Sequence, residues 1–180
     1  MRAQDPRSDR ALVEAANGGD QRAFEALYYR HRDWIARLAR RFTGSDHDAL
    51  DVLQETFAYL WGKFPGFRLT AGMTTFLYPV VKHLSMDVNR RRRRHGGTEG
   101  LVEEPAAPPV AETTREELAA ALRALSEAQR EVVLMRYVDE MRLQEIAAAL
   151  KVPLGTVKSR LHNALAALRD DPRTAEYFME

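Results

Sequence analysis

Apolar residues recur at helical intervals along most of this chain, and the sharpest instance lies near its C-terminus. Leu143, Ile146, Ala147 and Leu150 fall at i, i+3, i+4 and i+7, which predicts one apolar stripe on a short helix. Lys151-Val152-Pro153 leaves room only for a tight turn, where proline is tolerated because the first helical residues need no N–H partner. A second helix follows, with Val157, Leu161, Leu165 and Leu168 on its apolar side. At about 100° per residue its opposite face centres on Ser159 and carries Thr156 and Asn163, with Lys158 and Arg160 on the flanks. Short polar side chains at the centre can reach base edges in a major groove, and long cations at the edges can reach phosphates on either wall. Helix, three-residue turn and helix form the helix-turn-helix arrangement, whose second member reads DNA. The competing reading is an αα-hairpin that only packs. Gly155 and Thr156 keep the exposed end of the second helix small where it would approach a duplex, which favours the first reading.

One helix pair cannot bury its stripes without further support. Ser126 with Gln129 has capping-box spacing, and Val132, Val133, Leu134, Arg136 and Tyr137 predict a bulky inner side for the helix that follows. Leu118, Ala121, Leu122 and Leu125 predict a shorter helix before it.

The N-terminal half reads the same way. Asp5 to Asn17 predicts a first helix stopped by Gly18-Gly19, and Asp20 caps the next. Phe24, Leu27, Tyr28, His31, Ile35, Leu38 and Phe42 trace that helix's stripe to Gly44, with Trp34 beside it and His31 as a satisfied core residue. Ser45 opens a third helix whose inner face is Ala49, Val52, Leu53, Thr56, Phe57, Leu60 and Trp61. Its outer face carries Asp51, Gln54 and Glu55, read either as a solvated acidic face or as a dock for a basic helix. The loop FPGFRLTAGMTT follows; its phenylalanines can close the core or stack on an unpaired base. A last helix runs from near Thr75 through Phe76, Leu77, Val80, Val81, Leu84 and Val88 to five arginines, Arg90 to Arg94. Pro79 lies inside it, predicting a kink or a late start. The arginine run is either a solubilising tail or, continuing a track with Lys82 and His83, a phosphate contact.

Composition refines this picture. With 45% apolar and 29% charged residues the 180-residue chain is a folded protein of one average domain or two small ones. The net charge of +1 hides a basic front, because residues 1–95 hold 17 Lys/Arg against 11 Asp/Glu. Residues 96–114 carry four glutamates and no cation, and with their Gly, Pro and Ala they predict a flexible acidic linker. The fold class expected is all-α: two small helical domains, 1–95 and 115–180, joined by that linker, the second a helix-turn-helix. With no cysteine there is no disulfide framework or thiolate metal site. No apolar run approaches a membrane span, and MRAQDPRSDR lacks the apolar core of a signal peptide, so a cytoplasmic protein without direct membrane insertion is expected. His31, His47, His83, His95 and His162 are scattered without ligand spacing, and no phosphate loop or nucleophile context exists. Neither an enzyme nor a metal or other cofactor is expected.

A basic helix beside an aromatic loop, a linker and a helix-turn-helix together resemble the RNA polymerase sigma factors, specifically the small two-domain extracytoplasmic-function (ECF) group of the sigma-70 family. The resemblance covers about Asp20 to Arg169. FEALYYRHRDWIARLARRFTG resembles region 2.1, DALDVLQETFAYLW region 2.2, and FLYPVVKHLSMDVNRRRRR regions 2.3 and 2.4. LSEAQREVVLMRYVDEMRLQEIAAALKVPLGTVKSRLHNALAALR resembles region 4.

That resemblance implies a subunit that binds core RNA polymerase, through its clamp coiled coil and its flap, and directs it to promoters. Asp51, Gln54 and Glu55 would meet the coiled coil. The loop with Phe67 and Arg68 would capture a flipped base of the minus-ten element, and Phe76, Lys82, His83, Asp87, Arg90 and Arg91 would meet the upstream duplex and melted strand. Thr156, Lys158, Ser159, Arg160 and Asn163 would read the minus-thirty-five element, and the acidic linker would thread toward the RNA exit path. Promoter DNA and a sequestering anti-sigma protein are the other implied partners. The chain departs from the family pattern with Phe76 in place of tryptophan, His83 in place of asparagine, Pro79 within the helix and Lys151 in place of glycine. Rival readings are a homodimeric regulator using the same helix-turn-helix, and an adaptor that only holds proteins.

Overall fold

A computed structural model describes residues 5–94 and 112–175. The chain divides into two compact units between Glu104 and Pro105. Among the described residues all regular structure is helical, and no helix is long and apolar enough to cross a membrane. Most of the expected linker lies outside the described residues, but α5 opens at Glu112, inside its C-terminal end.

The first unit holds α1 (Asp9–Asn17), α2 (Gln21–Thr43), α3 (Asp46–Trp61) and α4 (Met73–Arg94). Helix α2 is the spine, packing against each of the other three. Leu27, Ile35 and Leu38 of α2 are fully buried with Leu12 of α1, Val52 and Leu60 of α3, and Leu77 and Val81 of α4. Each such side chain contributes roughly 1.5–3 kcal/mol relative to an exposed one. The helix starts follow their polar signals. The Asp20 carboxylate accepts from the Arg22 and Ala23 amides, and Ser45 accepts from the Asp48 amide. At the other end of α2, Gly44 takes the left-handed conformation (φ 68°) that closes a helix.

Helix α1 begins at Asp9, later than the expected Asp5. Ser8 caps it, and Asp5 instead accepts from the Arg7 amide and guanidinium in a short turn. A polar web then seats α1 on α2. Arg30 donates to Asp9 and to the carbonyls of Asp5 and Arg7 at 2.7–2.8 Å, and the His31 ring lies 3.1 Å from the second Asp9 oxygen. His31 is thereby a satisfied core residue, 8% exposed. Burial pushes the Asp9 carboxyl up, but the hydrogen bonds and charges of His31 and Arg30 outweigh it and hold the group below the usual range. Hydrogen bonds from Arg7 hold Asp5 down to about 2.

Helix α4 starts at Met73 and continues through Pro79 to Arg94 as one helix. Proline has no N–H to bond the Thr75 carbonyl, so that turn carries one hydrogen bond fewer. Trp61, expected on the inner face of α3, is half exposed, although its ring stands 4.7 Å from Phe24 in an edge-on pair.

The second unit holds α5 (Glu112–Ala124), α6 (Glu127–Tyr137), α7 (Leu143–Leu150) and α8 (Leu154–Asp170). The capping box of α6 is realised: the Gln129 amide donates to Ser126 Oγ, and Gln129 Oε1 accepts from the Ser126 amide. Its inner side differs from expectation. Val132, Val133 and Met135 are buried, while Arg136 and Tyr137 are exposed. The chain leaves the helix at Val138, passes Glu140 in a left-handed conformation (φ 56°) and turns Met141 into the core where Tyr137 was expected. In the same way Leu118 lies on the open side of α5, and Ala121 and Leu125 make the core contact with Val133, Ala164 and Leu168.

Candidate nucleic-acid and protein interfaces

Three surfaces gather the candidate residues, two on the first unit and one on the second. On α3 the apolar face is buried through Val52, Leu53, Thr56 and Leu60, which turns Asp51, Gln54 and Glu55 outward. The side chains of Asp51 and Glu55 are 54% and 42% exposed. Together with Asp48 they form one wall of a cleft of about 430 Å³, and Val88, Arg91 and Arg92 of α4 form the other. Arg92 lies 3.2 Å from Asp48 and Arg91 lies 3.8 Å from Glu55 across it. His47 stands 3.6 Å from Asp51 and 3.9 Å from Asp48. Three such groups could in principle meet a cation. Asp48 is already paired with Arg92, however, and the positive end of the α3 dipole opposes a cation, which argues against a metal there.

The second surface is the α3–α4 loop with the outer side of α4. Phe67 is 9% exposed; its ring packs 5.7 Å from Phe64 and 4.8 Å from Phe76, so it closes the core. Arg68 and Thr70, just beyond it, point into solvent. Phe76 is half buried and stacks on Tyr59, over whose ring Lys63 sits at 4.4 Å. Further along α4, His83 and Arg90 are exposed and both reach Asp87, at 3.4 and 2.7 Å; Lys82 is half buried. Met86, 59% exposed, lies among His83, Arg90, Arg93 and Arg94, an apolar spot in a cationic surround. Neither Met86 nor Tyr59 was among the expected residues; plotting the turns of α3 and α4 would have placed both outside.

The third surface is α8. Val157, Ala164 and Leu168 are buried, so Lys158, Ser159 and Asn163 are exposed, with Thr156 and Arg160 half buried beside them. The Ser159 hydroxyl donates to the Gly155 carbonyl at 2.9 Å, which leaves its oxygen lone pairs outward. His162 is exposed on the same helix and was missing from the expected set; the period of the helix alone places it on the flank of Ser159. A Cβ added at Gly155 would meet nothing within 4 Å, so that glycine is not demanded by packing within the unit. At the turn, Lys151 adopts φ 55° and ψ 43° and closes α7 through amide bonds to Ala147 and Ala148.

Both units have counterparts in known proteins. Residues 27–95 match the family Sigma-70 region 2, and residues 115–168 match Sigma-70, region 4. The ECF RNA polymerase sigma factor SigW of Bacillus subtilis is 30% identical over 177 residues, covering 89% of this chain and 95% of SigW. The ECF RNA polymerase sigma-E factor of Escherichia coli K12 is 29% identical, with 89% and 92% covered. Among solved structures, CnrH in complex with the cytosolic domain of CnrY superposes with a TM-score of 0.65 at 29% identity, over 88% of this chain and 93% of that one. The sigma factor RpoE of Bartonella quintana, in complex with the anti-sigma factor NepR, shares the fold with a TM-score of 0.60 at 21% identity, over 82% and 94%. With both regions matched in order and full-length relatives covered almost end to end, this all-helical chain belongs to the ECF sigma factors of the sigma-70 family, non-catalytic initiation factors that direct RNA polymerase to promoters.

Proposed function

We propose that residues 1–95 bind core polymerase and open the minus-ten element, and that residues 115–180 read the minus-thirty-five element. In this reading Asp51, Gln54 and Glu55 dock on a basic coiled coil of the polymerase clamp. Arg68, Phe76, Lys82, His83, Asp87, Arg90 and Arg91 face the upstream duplex and melted strand, with Phe67 shaping the capture loop from beneath. Thr156, Lys158, Ser159, Arg160 and Asn163 enter the major groove, and the second unit also meets the polymerase flap. The observation that carries the reading is the division of α8: Val157, Ala164 and Leu168 face the core while Lys158, Ser159 and Asn163 stand outside. Each unit makes few base contacts. Held at a fixed spacing by polymerase they act as one bivalent reader, because binding one element raises the effective concentration at the other. Unpairing costs a few kcal/mol per base step, offset by captured bases and phosphate contacts.

A free chain presents these surfaces continuously, so a sequestering anti-sigma protein is the further partner we propose. The similar protein CnrH, solved in complex with the cytosolic domain of CnrY, supports a protein partner for this fold.

The test is run-off transcription from a genomic promoter library with core polymerase and the purified chain. Initiation at a defined set of sites only when both are present is expected. Footprints on palindromic DNA by the chain alone would replace this reading with a homodimeric regulator. Unchanged initiation in a Lys158→Ala, Arg160→Ala variant would remove the groove assignment of α8.

A further inference from the structure

The segment that carries Arg68 is held from an unexpected direction. Asn17, the last residue of α1, reaches the loop about fifty residues later with both ends of its amide. Its Oδ1 accepts from the Gly66 amide at 2.7 Å and the Phe67 amide at 3.1 Å, and its Nδ2 donates to the Phe67 carbonyl at 2.8 Å. One side chain thus replaces the strand partner that this piece of backbone lacks. Gly66 sits at φ 105°, a conformation side-chain-bearing residues rarely adopt, so the bend calls for glycine, and Asn17 ties it from outside. Asn17 is itself rigidly placed. Leu12 and Val13 bury α1 against the core, and Arg30 ties the chain ahead of it through Asp9 and the carbonyls of Asp5 and Arg7. Below the bend, Phe67 is clamped between Phe64 and Phe76. Arg68, Thr70 and Ala71 emerge exposed from this double fixation.

We propose that Asn17 is a positioning residue for strand capture: it fixes the backbone at Gly66 and Phe67 so that the exposed segment from Arg68 onward is already shaped when an unpaired base arrives. The inference rests on the assignment of that loop to the minus-ten element. Its physical content is preorganisation. A loop ordered before binding loses little conformational freedom on capture, whereas an untied one must be ordered at the expense of affinity. The amide is chemically specific, because an aspartate would keep both acceptor bonds but set a carboxylate oxygen against the Phe67 carbonyl.

The experiment compares wild type with Asn17→Ala, Asn17→Asp and Asn17→Gln, each full-length. Amide hydrogen exchange on the free chain reads the tie directly. Protection at Gly66 and Phe67 is expected in wild type, lost in the alanine variant, weakened in the aspartate variant, where the second carboxylate oxygen repels the Phe67 carbonyl, and partly kept by glutamine. Equal exchange at those two amides in all four overturns the proposal. Holoenzyme assembled with core polymerase is then presented with a randomised pool of short single-stranded DNA, and the strand wild type enriches becomes the probe. Asn17→Ala is expected to bind that strand about ten-fold more weakly and with flattened base preference, the size of roughly one net hydrogen bond. Its affinity for core polymerase and for duplex minus-thirty-five DNA should stay at the wild-type level. A parallel loss in all three would show that Asn17 only holds the unit together and would overturn the proposal. If wild-type holoenzyme enriches no strand while the exchange pattern is as expected, the tie stands and the minus-ten assignment falls, and with it the role in capture.

Discussion

Replacing Lys151 by glycine should leave the helix-turn-helix more stable than replacing it by alanine. Lys151 closes α7 with φ 55° and ψ 43°, and among the described residues only Glu140 shares a positive φ without being glycine. The left-handed conformation costs a residue with a Cβ roughly 1–2 kcal/mol. Glycine escapes that but gives up about 0.5–1 kcal/mol in the extra freedom of its unfolded state. The difference leaves about 0.5–1 kcal/mol in favour of glycine, since Lys151 is exposed and its side chain fills no part of the core. Its cation at a helix C-terminus adds a favourable term of about 0.3–1 kcal/mol, so the correct reference is Lys151→Ala, which loses the charge and keeps the strain. The readout is amide exchange of peptides spanning α7 and α8 in the full chain. Protection in Lys151→Gly should exceed that in Lys151→Ala about two- to five-fold, the ratio corresponding to that free energy. Tryptophan fluorescence supplies the control, because Trp34 and Trp61 both lie in the first unit and their unfolding midpoint should not move. Equal protection in the glycine and alanine variants would refute the strain argument, and so would a gain confined to the first unit.

Three other perturbations test the remaining surfaces. Asp51→Lys with Glu55→Lys should lower affinity for core polymerase in a pull-down titration at least about ten-fold while shifting the unfolding midpoint by under about 0.5 kcal/mol, as expected for exposed positions. Replacing Arg90 to Arg94 by alanine should flatten the salt dependence of open-complex formation, with the log–log slope falling by about 0.7 for each single-strand phosphate that is no longer neutralised. Asp9→Asn should destabilise the first unit by about 1.5–3 kcal/mol at neutral pH, because the charge-assisted hydrogen bond from Arg30 is weakened at a partly buried carboxylate. The folded-state pKa of Asp9 is depressed, so its contribution is present above the ordinary carboxylate value and is lost as pH falls through the lower folded value. The wild-type and Asn urea midpoints should therefore converge in that acid window and stay apart above it.

Local signals were readable and long-range ones were not. Ser45, Asp20 and Ser126 were recognisable as caps because a cap is decided within three residues, and each makes the expected bond. The departure at Lys151 was equally local: it stands where the family pattern has glycine, and its backbone there is left-handed. Bulk misled where the chain turned: Tyr137 looked like core by size, yet the exit at Val138 gave its place to Met141. Phe67 had two readings as a loop aromatic, and only the rings of Phe64 and Phe76 from either side made it a lid. Asn17 carried no signal at all. At the end of a helix before two glycines it reads as a stop, and its role exists only because folding brings Gly66 to it.

The arginine run shows how pairing changes an argument made from sequence. Five consecutive arginines point around the helix and look unpairable nearby, yet Asp87, Glu55 and Asp48 meet Arg90, Arg91 and Arg92 at 2.7, 3.8 and 3.2 Å. These arginine side chains remain 62%, 63% and 35% exposed, so each pair is worth at most about 1 kcal/mol and weakens with salt. A bond that weak is readily exchanged for one to a phosphate, and the pairs do not remove the run from DNA binding. Their effect is on the isolated chain, whose positive field is damped by Asp48 and Glu55 in the cleft they share with Asp51, and by Asp87 beside Arg90. A basic partner engaging those carboxylates would relieve that damping, so this set of charges predicts weaker DNA binding by the chain alone than in its complex.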